Sequence, residues 1–447
     1  MKLRGLIVAM VVLIGLMGAL YYSNKHPKST ETAEASAASP KILTLKQDDI
    51  TKIDLKKNDA PAIVLSRNNN SWQIINPQQL GADQSTVNSM LTSLSSLSSD
   101  RLVEDKATDL NQFGLGTGAF EADITEKDNK SQKLLLGDST PNGSAVYAKL
   151  DGDPRVFTIA SYEKNNIEKD LNDLRDKRLI TANSDKIGKI ELEAKKQDIE
   201  FGRNKDEWQI VKPKPLRADG MKVEDLVRNL TDAKMQLNST DDPKKIAAGF
   251  ASGTPVGTAK VTDESGTQEL QVRKNKDDYY AKSSVVAGVY KVPASLGQSL
   301  DKSLDDFRNK KLFDFGYADP NKVEIQDGSK SYFLTHGGED WWNGSSQKLD
   351  PGAAQDVVDK TRDLSANKFV DSGFTQPSIE LTVVSNDNKR TEKVLIAKNG
   401  DNYIAKRDNE PSLYQLDSKA VSELLKAAGD LKVAAAPAPN SSAKPGK

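Results

Sequence analysis

The chain has 447 residues, two to three times the length of a usual domain, so several domains are expected rather than one. Its 63 basic and 64 acidic side chains leave a net charge of -1, which disfavours a dedicated nucleic-acid-binding protein. The sequence has no Cys and two His, so disulfides, thiol nucleophiles and thiolate metal sites are excluded and imidazole catalysis has few candidates.

The first predicted element is a membrane anchor at residues 5–22, an uncharged apolar stretch that follows Lys2 and Arg4. As a helix these residues would span roughly 27 Å, close to the hydrocarbon thickness of a bilayer. We expect an uncleaved single-pass helix in contact with membrane lipid, with the short N-terminus inside the cell and the bulk of the chain extracytoplasmic. A cleaved signal peptide and an inverted anchor with a cytoplasmic bulk are the alternatives.

Two segments lack a periodic apolar pattern. Residues 23–40 include KHPKSTETAEASAASP and are predicted to be a flexible linker. Residues 434–447 are rich in Ala, Pro and Ser and are predicted to be an extended tail. The folded part is therefore expected between them.

Between these segments the sequence repeats itself with a period of about 130 residues. The tripeptide Trp-Gln-Ile begins at Trp72 and again at Trp208, and Trp341-Trp342 marks a looser third copy. Each copy continues with an Asp and then apolar residues at i, i+3, i+4 and i+7, a spacing that predicts an amphipathic helix. Asp83, Asp219 and Asp350 stand at the predicted N-caps of these helices.

Each copy is predicted to contain about three short strands ending at the Trp, the amphipathic helix, a run of four strands and a further helix. The first strands are too close together for helical crossovers, which implies antiparallel pairing. We therefore predict an α+β protein with three tandem modules at residues 41–179, 180–312 and 313–433, the third being divergent. The first two modules close with the basic runs 174–179 and 307–312, which are expected to be solvated helix ends.

The repeated motifs resemble a bacterial family known as domain of unknown function 4340. The resemblance rests on the Trp-x-Ile-x-x-Pro block, the Ala-Asp helix start, Phe113-Gly114-Leu115 and the runs 134–138, 146–149 and 174–179. It implies a protein of the bacterial inner membrane, often encoded near ABC-transporter components that resemble those of gliding motility. Transporter subunits are thus the expected partners by analogy, and the family provides no catalytic residues to transfer.

A glycine motif at residues 114–119 formally fits the dinucleotide fingerprint G-x-G-x-x-A. A phosphate-binding loop needs a strand before it and a helix after it, whereas residues 121–125 are predicted to form a strand. We therefore interpret the motif as a turn, and we predict no cofactor, no metal site and no catalytic constellation.

One cluster remains as a candidate ligand pocket. His336, Glu339, Trp341 and Trp342 lie within seven residues and combine an imidazole, a carboxylate and two indoles. Because the Trp pair occupies the repeated core position, packing in a hairpin is the favoured interpretation.

The sequence therefore predicts a non-enzymatic, membrane-anchored extracytoplasmic scaffold or binding protein, as an accessory component of an ABC-transporter-type envelope complex. The alternative is an envelope polysaccharide hydrolase or sugar-binding protein that uses the cluster from His336 to Trp342.

Overall fold

The computed structural model describes residues 41–58, 60–205, 207–238, 240–408 and 410–435. The predicted anchor at 5–22, the predicted linker at 23–40 and the predicted tail from residue 436 onward lie outside these residues. Within the described ranges, no helix is both long enough and apolar enough to cross a bilayer.

The described chain is α+β and contains three antiparallel sheets, which fit the three predicted modules. It divides into two compact units, the first ending at Lys177 and the second beginning at Arg178. The first unit holds one sheet, and the second unit holds two.

The first sheet has nine strands in the order β4-β3-β2-β1-β6-β7-β8-β9-β5. These strands are β1 (Ile50–Lys56), β2 (Ile63–Asn68), β3 (Ser71–Asn76), β4 (Leu80–Gly81), β5 (Arg101–Glu104), β6 (Phe120–Glu126), β7 (Ser131–Ser139), β8 (Ala145–Leu150) and β9 (Val156–Ala160). The helices are α1 (Gln84–Ser96), α2 (Ser161–Ile167) and α3 (Leu171–Leu174), with short 3-10 turns at Gln47–Asp49 and Asn111–Phe113.

The second sheet has eight strands in the order β13-β12-β11-β10-β14-β15-β16-β17. They are β10 (Lys189–Ala194), β11 (Gln197–Asn204), β12 (Glu207–Lys212), β13 (Leu216–Arg217), β14 (Thr254–Asp263), β15 (Gly266–Asn275), β16 (Asp278–Ser283) and β17 (Tyr290–Val292). The helices are α4 (Gly220–Thr231), α5 (Pro243–Ser252), α6 (Ala294–Leu300) and α7 (Leu304–Phe307), with a 3-10 turn at Ser184–Lys186.

The third sheet has eight strands in the order β20-β19-β18-β22-β23-β24-β25-β21. They are β18 (Lys322–Asp327), β19 (Lys330–Gly337), β20 (Asp340–Trp342), β21 (Ala366–Val370), β22 (Ile379–Ser385), β23 (Arg390–Asn399), β24 (Asn402–Arg407) and β25 (Leu413–Leu416). The helices are α8 (Pro351–Asp363) and α9 (Ser418–Gly429).

The three sheets share one construction. A first meander has the Trp strand as its third strand, and in the first two modules a two-residue edge strand follows it. The amphipathic helix comes next, and a second meander then pairs with the first strand of the module. Side chains alternate between a buried and a more exposed face, as expected for antiparallel sheets with one covered face. In the first module, for example, buried Ile53 lies opposite Leu65 on one side and Ile124 on the other.

The predicted helix caps are confirmed. The carboxylates of Asp83, Asp219 and Asp350 accept hydrogen bonds from backbone N–H groups in the first turns of α1, α4 and α8, at 2.9, 3.3 and 3.0 Å. The backbone N–H of each cap residue also donates to a carbonyl near the end of its own module, at Leu174, Phe307 and Lys432. The cap residue therefore starts the helix and also ties the two ends of the module together.

The prediction that the basic runs are solvated helix ends is wrong for two of their arginines. Arg175 is 8% exposed. The Arg308 guanidinium lies 3.3 Å from the centre of the Phe369 ring and donates to Ser412 Oγ at 2.9 Å. The helices before them, α3 and α7, have only four residues, so the chain is already extended when it reaches these side chains.

Candidate functional site

The predicted cluster from His336 to Trp342 forms the β19–β20 hairpin. Its turn contains Glu339, which is exposed, and Gly338, whose φ of 68° suits a residue without a Cβ. The His336 and Trp341 rings pack with their centroids 4.7 Å apart, and Trp341 is 4% exposed. Trp342 pairs with Thr335 and Lys348 instead.

Adjacent residues on a strand point to opposite faces of the sheet, so the two indoles do not line one pocket. The hairpin brings His336 to Trp341 and leaves Glu339 at its tip and Trp342 on the other face. This arrangement agrees with the interpretation of the cluster as hairpin packing.

The glycine motif at residues 114–119 is a turn, as predicted. It follows the 3-10 turn at Asn111–Phe113 and leads directly into β6. Gly114 has a φ of 67°, and a Cβ built on it would lie 2.4 Å from Asp138 Cγ, so this position favours glycine for steric reasons.

A cavity lies in the second unit, between the second and third modules. We call it the junction groove; its volume is about 840 Å³. It is lined by Glu207, Trp208, Gln209, Arg217, Ala218, Gly220, Met221, Glu224, Asp225 and Arg228 of the second module, by Asn309, and by Asp314, Arg390 and Arg407 of the third. Its size falls in the range typical of ligand sites.

One end of the groove is built around the carboxylate of Asp314. This carboxylate accepts hydrogen bonds from Arg217 Nη2, from Arg390 Nη2 at 3.2 Å and from Asn309 Nδ2 at 3.0 Å. Arg407 Nη1 lies 3.7 Å from it. Three guanidinium groups therefore converge on one carboxylate.

Two further carboxylates balance these charges. Glu392, whose side chain is 5% exposed, accepts from Arg407 Nη2 at 2.9 Å and from Arg390 Nη2 at 3.2 Å. Glu410 lies 2.8 Å from Arg407 Nε and 3.6 Å from Arg217 Nε. With Tyr414, which donates to Glu410 at 2.7 Å, these residues form what we call the junction cluster: Arg217, Asp314, Arg390, Glu392, Arg407, Glu410 and Tyr414.

Two pKa values reflect this environment. Burial is the largest single influence and favours the neutral form of Arg217, but Asp314, Tyr414 and Glu410 together outweigh it and raise the arginine pKa above its ordinary value. Burial and the neighbouring Glu410 carboxylate raise the pKa of Tyr414 to about 12. At neutral pH the cluster therefore contains a charged Arg217 and a neutral tyrosine.

The opposite wall of the groove carries paired charges and is partly apolar. Glu224 accepts hydrogen bonds from Arg203 Nη2 and, at 2.8 Å, from Trp208 Nε1, and Asp225 pairs with Arg228. Glu207 is exposed, and Met221 is 74% exposed at the groove edge. The second-module wall therefore has one carboxylate without an ion pair among the described residues, Glu207.

Sequence reasoning missed the junction cluster. The repeat alignment contains a signal for it, because Glu392 and Arg407 align with the uncharged Gln268 and Ser283 of the second module at the same offset of 124 residues. A charge that replaces a neutral residue at a repeated inward position requires a counter-charge nearby. Its partners were not predictable, because Arg217 and Asp314 are 97 residues apart in sequence.

One family of known sequences matches this chain. The family model described as Domain of unknown function (DUF4340) matches residues 72–209 and again 208–382. The chain belongs to the DUF4340 family. No curated protein matches it in sequence.

The two DUF4340 matches begin at Trp72 and Trp208, on the third strand of the first and second modules. Each match therefore combines the later part of one module with the start of the next. Apart from Glu207, the second-module wall of the junction groove falls inside the second match, as does Asp314, whereas Arg390, Glu392, Arg407 and Glu410 follow its end at residue 382.

Proposed function

We propose that the protein is a non-enzymatic binding scaffold, anchored in the bacterial inner membrane through residues 5–22, with its three modules outside the cytoplasm. The observation that carries this proposal is the junction groove, which is formed by side chains of two successive modules. A groove of this kind is typical of binding sites at domain interfaces.

The charges of the groove support binding rather than catalysis. The arginines of the junction cluster are neutralised by carboxylates and are held by several hydrogen bonds each. A general acid or base needs a pKa near the working pH, whereas the shifts of Arg217 and Tyr414 are directed away from neutrality. These residues can therefore fix the shape and charge of a surface.

The partner that we propose is a subunit of an ABC-transporter-type envelope complex. This part of the proposal rests on the resemblance of the repeated motifs to a family whose members are often encoded near such components.

Site-specific photo-crosslinking in native membranes tests the proposal. A photoreactive residue at Met221 stands at the edge of the groove, and the same residue at Tyr162, which is 64% exposed in the first module, is the matched control. We expect a discrete adduct with a membrane-complex subunit from Met221 and none from Tyr162. Equal labelling from both positions would contradict the groove as the binding surface.

Fractionation tests the anchor separately. We expect the full-length protein in the membrane fraction and expect deletion of residues 5–22 to release it. Recovery of the intact protein only from the cytosol would refute the membrane part of the proposal.

A further inference from the structure

We infer that the junction groove recognises a polypeptide segment that carries both a carboxylate and a basic side chain. This inference rests on the proposed binding function and adds the chemistry of the partner. It starts from Arg390, the most exposed arginine of the junction cluster, whose side chain is 40% exposed.

Arg390 has unused hydrogen-bonding capacity. Its Nη2 contacts Asp314 and Glu392, and no other polar contact of this side chain is found among the described residues. The Nη1 and Nε donors are thus available to a ligand. A guanidinium presents such donors as a planar fork that matches a carboxylate.

The surroundings hold Arg390 ready for an anionic group. Its Nη2 is fixed by two carboxylates, so a ligand would have to order less of the side chain on binding. Arg217 and Arg407 also line the groove on this side, but Asp314, Glu392 and Glu410 neutralise them. The attraction for an anion therefore depends on direct contact with the remaining donors of Arg390.

The opposite wall selects against a pure polyanion. Glu207, Glu224 and Asp225 line it, but Glu224 is paired with Arg203 and Asp225 with Arg228. Glu207 is therefore the charge on this wall that would repel a polyanionic glycan, a nucleic acid or an anionic lipid surface. Glu207 is exposed and makes no ion pair among the described residues, so it is available to a cationic group.

The apolar part of the groove completes the argument. Met221 at the groove edge is 74% exposed and offers nonpolar surface. A flexible thioether adapts to different side chains, which suits a peptide ligand. A protein segment supplies an acidic side chain, a basic side chain and nonpolar surface in one chain, whereas a polyanion supplies no basic group for Glu207.

Peptide arrays test this inference with the full-length protein in detergent. The probes are short synthetic peptides in which one acidic and one basic residue stand at varied spacings in an uncharged background. All-acidic peptides and vesicles of anionic phospholipid are the comparison probes. We expect the mixed-charge peptides to bind the wild-type protein more tightly than either of them.

Three variants locate the binding. Arg390→Ala is expected to weaken binding of the mixed-charge peptides about tenfold, because it removes a charge-assisted contact. Arg155→Ala, at a first-module arginine that is 45% exposed, is the matched control and should leave binding unchanged. Glu207→Lys, on the other wall and outside the junction cluster, should move the preference toward all-acidic peptides.

The outcomes separate this inference from the proposed function. Binding of all-acidic peptides or vesicles as tight as that of the mixed peptides would overturn the inference, as would binding that Arg390→Ala does not weaken. If no peptide binds while Met221 still forms its specific adduct, the inference fails and the binding function stands. If both experiments fail, both proposals are wrong.

Discussion

The second and third modules satisfy the same backbone groups with different chemistry. In the second module, Ser283 Oγ donates to the Leu179 carbonyl, and the Gln268 side chain accepts from the Thr181 N–H at 2.8 Å. In the third module, Arg407 Nη1 donates to the corresponding Leu312 carbonyl, and Glu392 accepts from the Asp314 N–H at 3.1 Å. The first module resembles the second here, since Gln132 accepts from the Thr44 N–H.

The difference shows how a few substitutions in one copy of a repeat can create contacts with the neighbouring copy. The neutral pair in the second module bonds these backbone groups without adding a charge. The charged pair in the third module is part of a larger network, because the remaining polar atoms of a buried ion pair also need partners. Glu392 also pairs with Arg390, and Arg407 lies close to Asp314 and Glu410. These two carboxylates in turn pair with Arg217, which comes from the preceding module. The substitution of charged for neutral residues thus links two modules and forms one wall of the groove.

The largest expected effect comes from breaking the buried ion pair of the third module. Arg407→Ser, which introduces the residue of the second module, leaves Glu392 without its closest partner and should lower the free energy of unfolding by about 3 to 5 kcal/mol. The double variant Glu392→Gln, Arg407→Ser introduces the neutral pair of the second module, and its free energy of unfolding should fall much less. Chemical denaturation measures both, and equal losses in the two variants would refute the comparison.

Removal of the link between the modules should have the next largest effect. Arg217→Ala deletes hydrogen bonds to Asp314 and to the Lys311 carbonyl, and the expected loss is about 2 to 3 kcal/mol because charged partners are left behind. Hydrogen exchange should increase around residues 309–314. Arg228→Ala is the control: its side chain is 65% exposed and pairs with exposed Asp225, so little change is expected.

A pH titration of protein stability tests the environment of Tyr414 in the third module. The pKa of Tyr414 is about 12 in the folded protein and about 10 in an unfolded chain, so the folded state binds the phenol proton more tightly than the unfolded state does. The resulting contribution to the free energy of unfolding, on the order of 3 kcal/mol, is complete below pH about 10 and is lost as the pH rises through about 12.

The matched variant for this titration is Tyr414→Phe. The first module has Phe157 at the corresponding position, so the fold accommodates this ring. Between pH 10 and 12 the wild type should lose stability relative to the variant, which has no phenol to titrate, so the difference in their unfolding free energies should shrink. A difference that stays constant over this range would contradict the raised pKa.

The helix caps should behave alike in all three modules. Asp83→Ala, Asp219→Ala and Asp350→Ala each remove one cap hydrogen bond, and each should cost about 1 kcal/mol of stability. Replacement by Asn should recover most of the loss, since an amide oxygen also caps a helix. If removal of the cap left the stability of one module unchanged, that module would not depend on the repeated helix start.

The smallest effect is expected at the β19–β20 hairpin. His336→Ala removes the ring contact with Trp341 and should cost about 0.5 kcal/mol. Glu339→Ala at the exposed turn should be neutral. If either variant stayed folded but lost a measured hydrolysis of envelope polysaccharide, the enzymatic alternative would be correct and the scaffold proposal wrong.

Much of the fold was predictable because its signals are local. Alternating apolar and polar residues predicted strands of the two meanders. An Asp before apolar residues with helical spacing predicted each of the helices α1, α4 and α8. Helix α5 was missed, although Asp242 caps it and Pro243 occupies its first turn, a pairing that is itself a helix-start signal. The short edge strands β4 and β13 were also missed, because two residues carry too little periodicity to be recognised.

The repetition, the α+β class, the helix starts and the hairpins could be predicted from the sequence, since hydrogen bonding and side-chain alternation act over a few neighbouring residues. Which charges meet depends on the tertiary fold. The chain brings Arg217 to Asp314 and Glu392 to Arg407 by packing whole modules and strands, and an ion pair depends on a distance of a few ångströms that sequence spacing does not encode. The same packing placed Trp341 in the core and Trp342 on the other face, and it formed the groove.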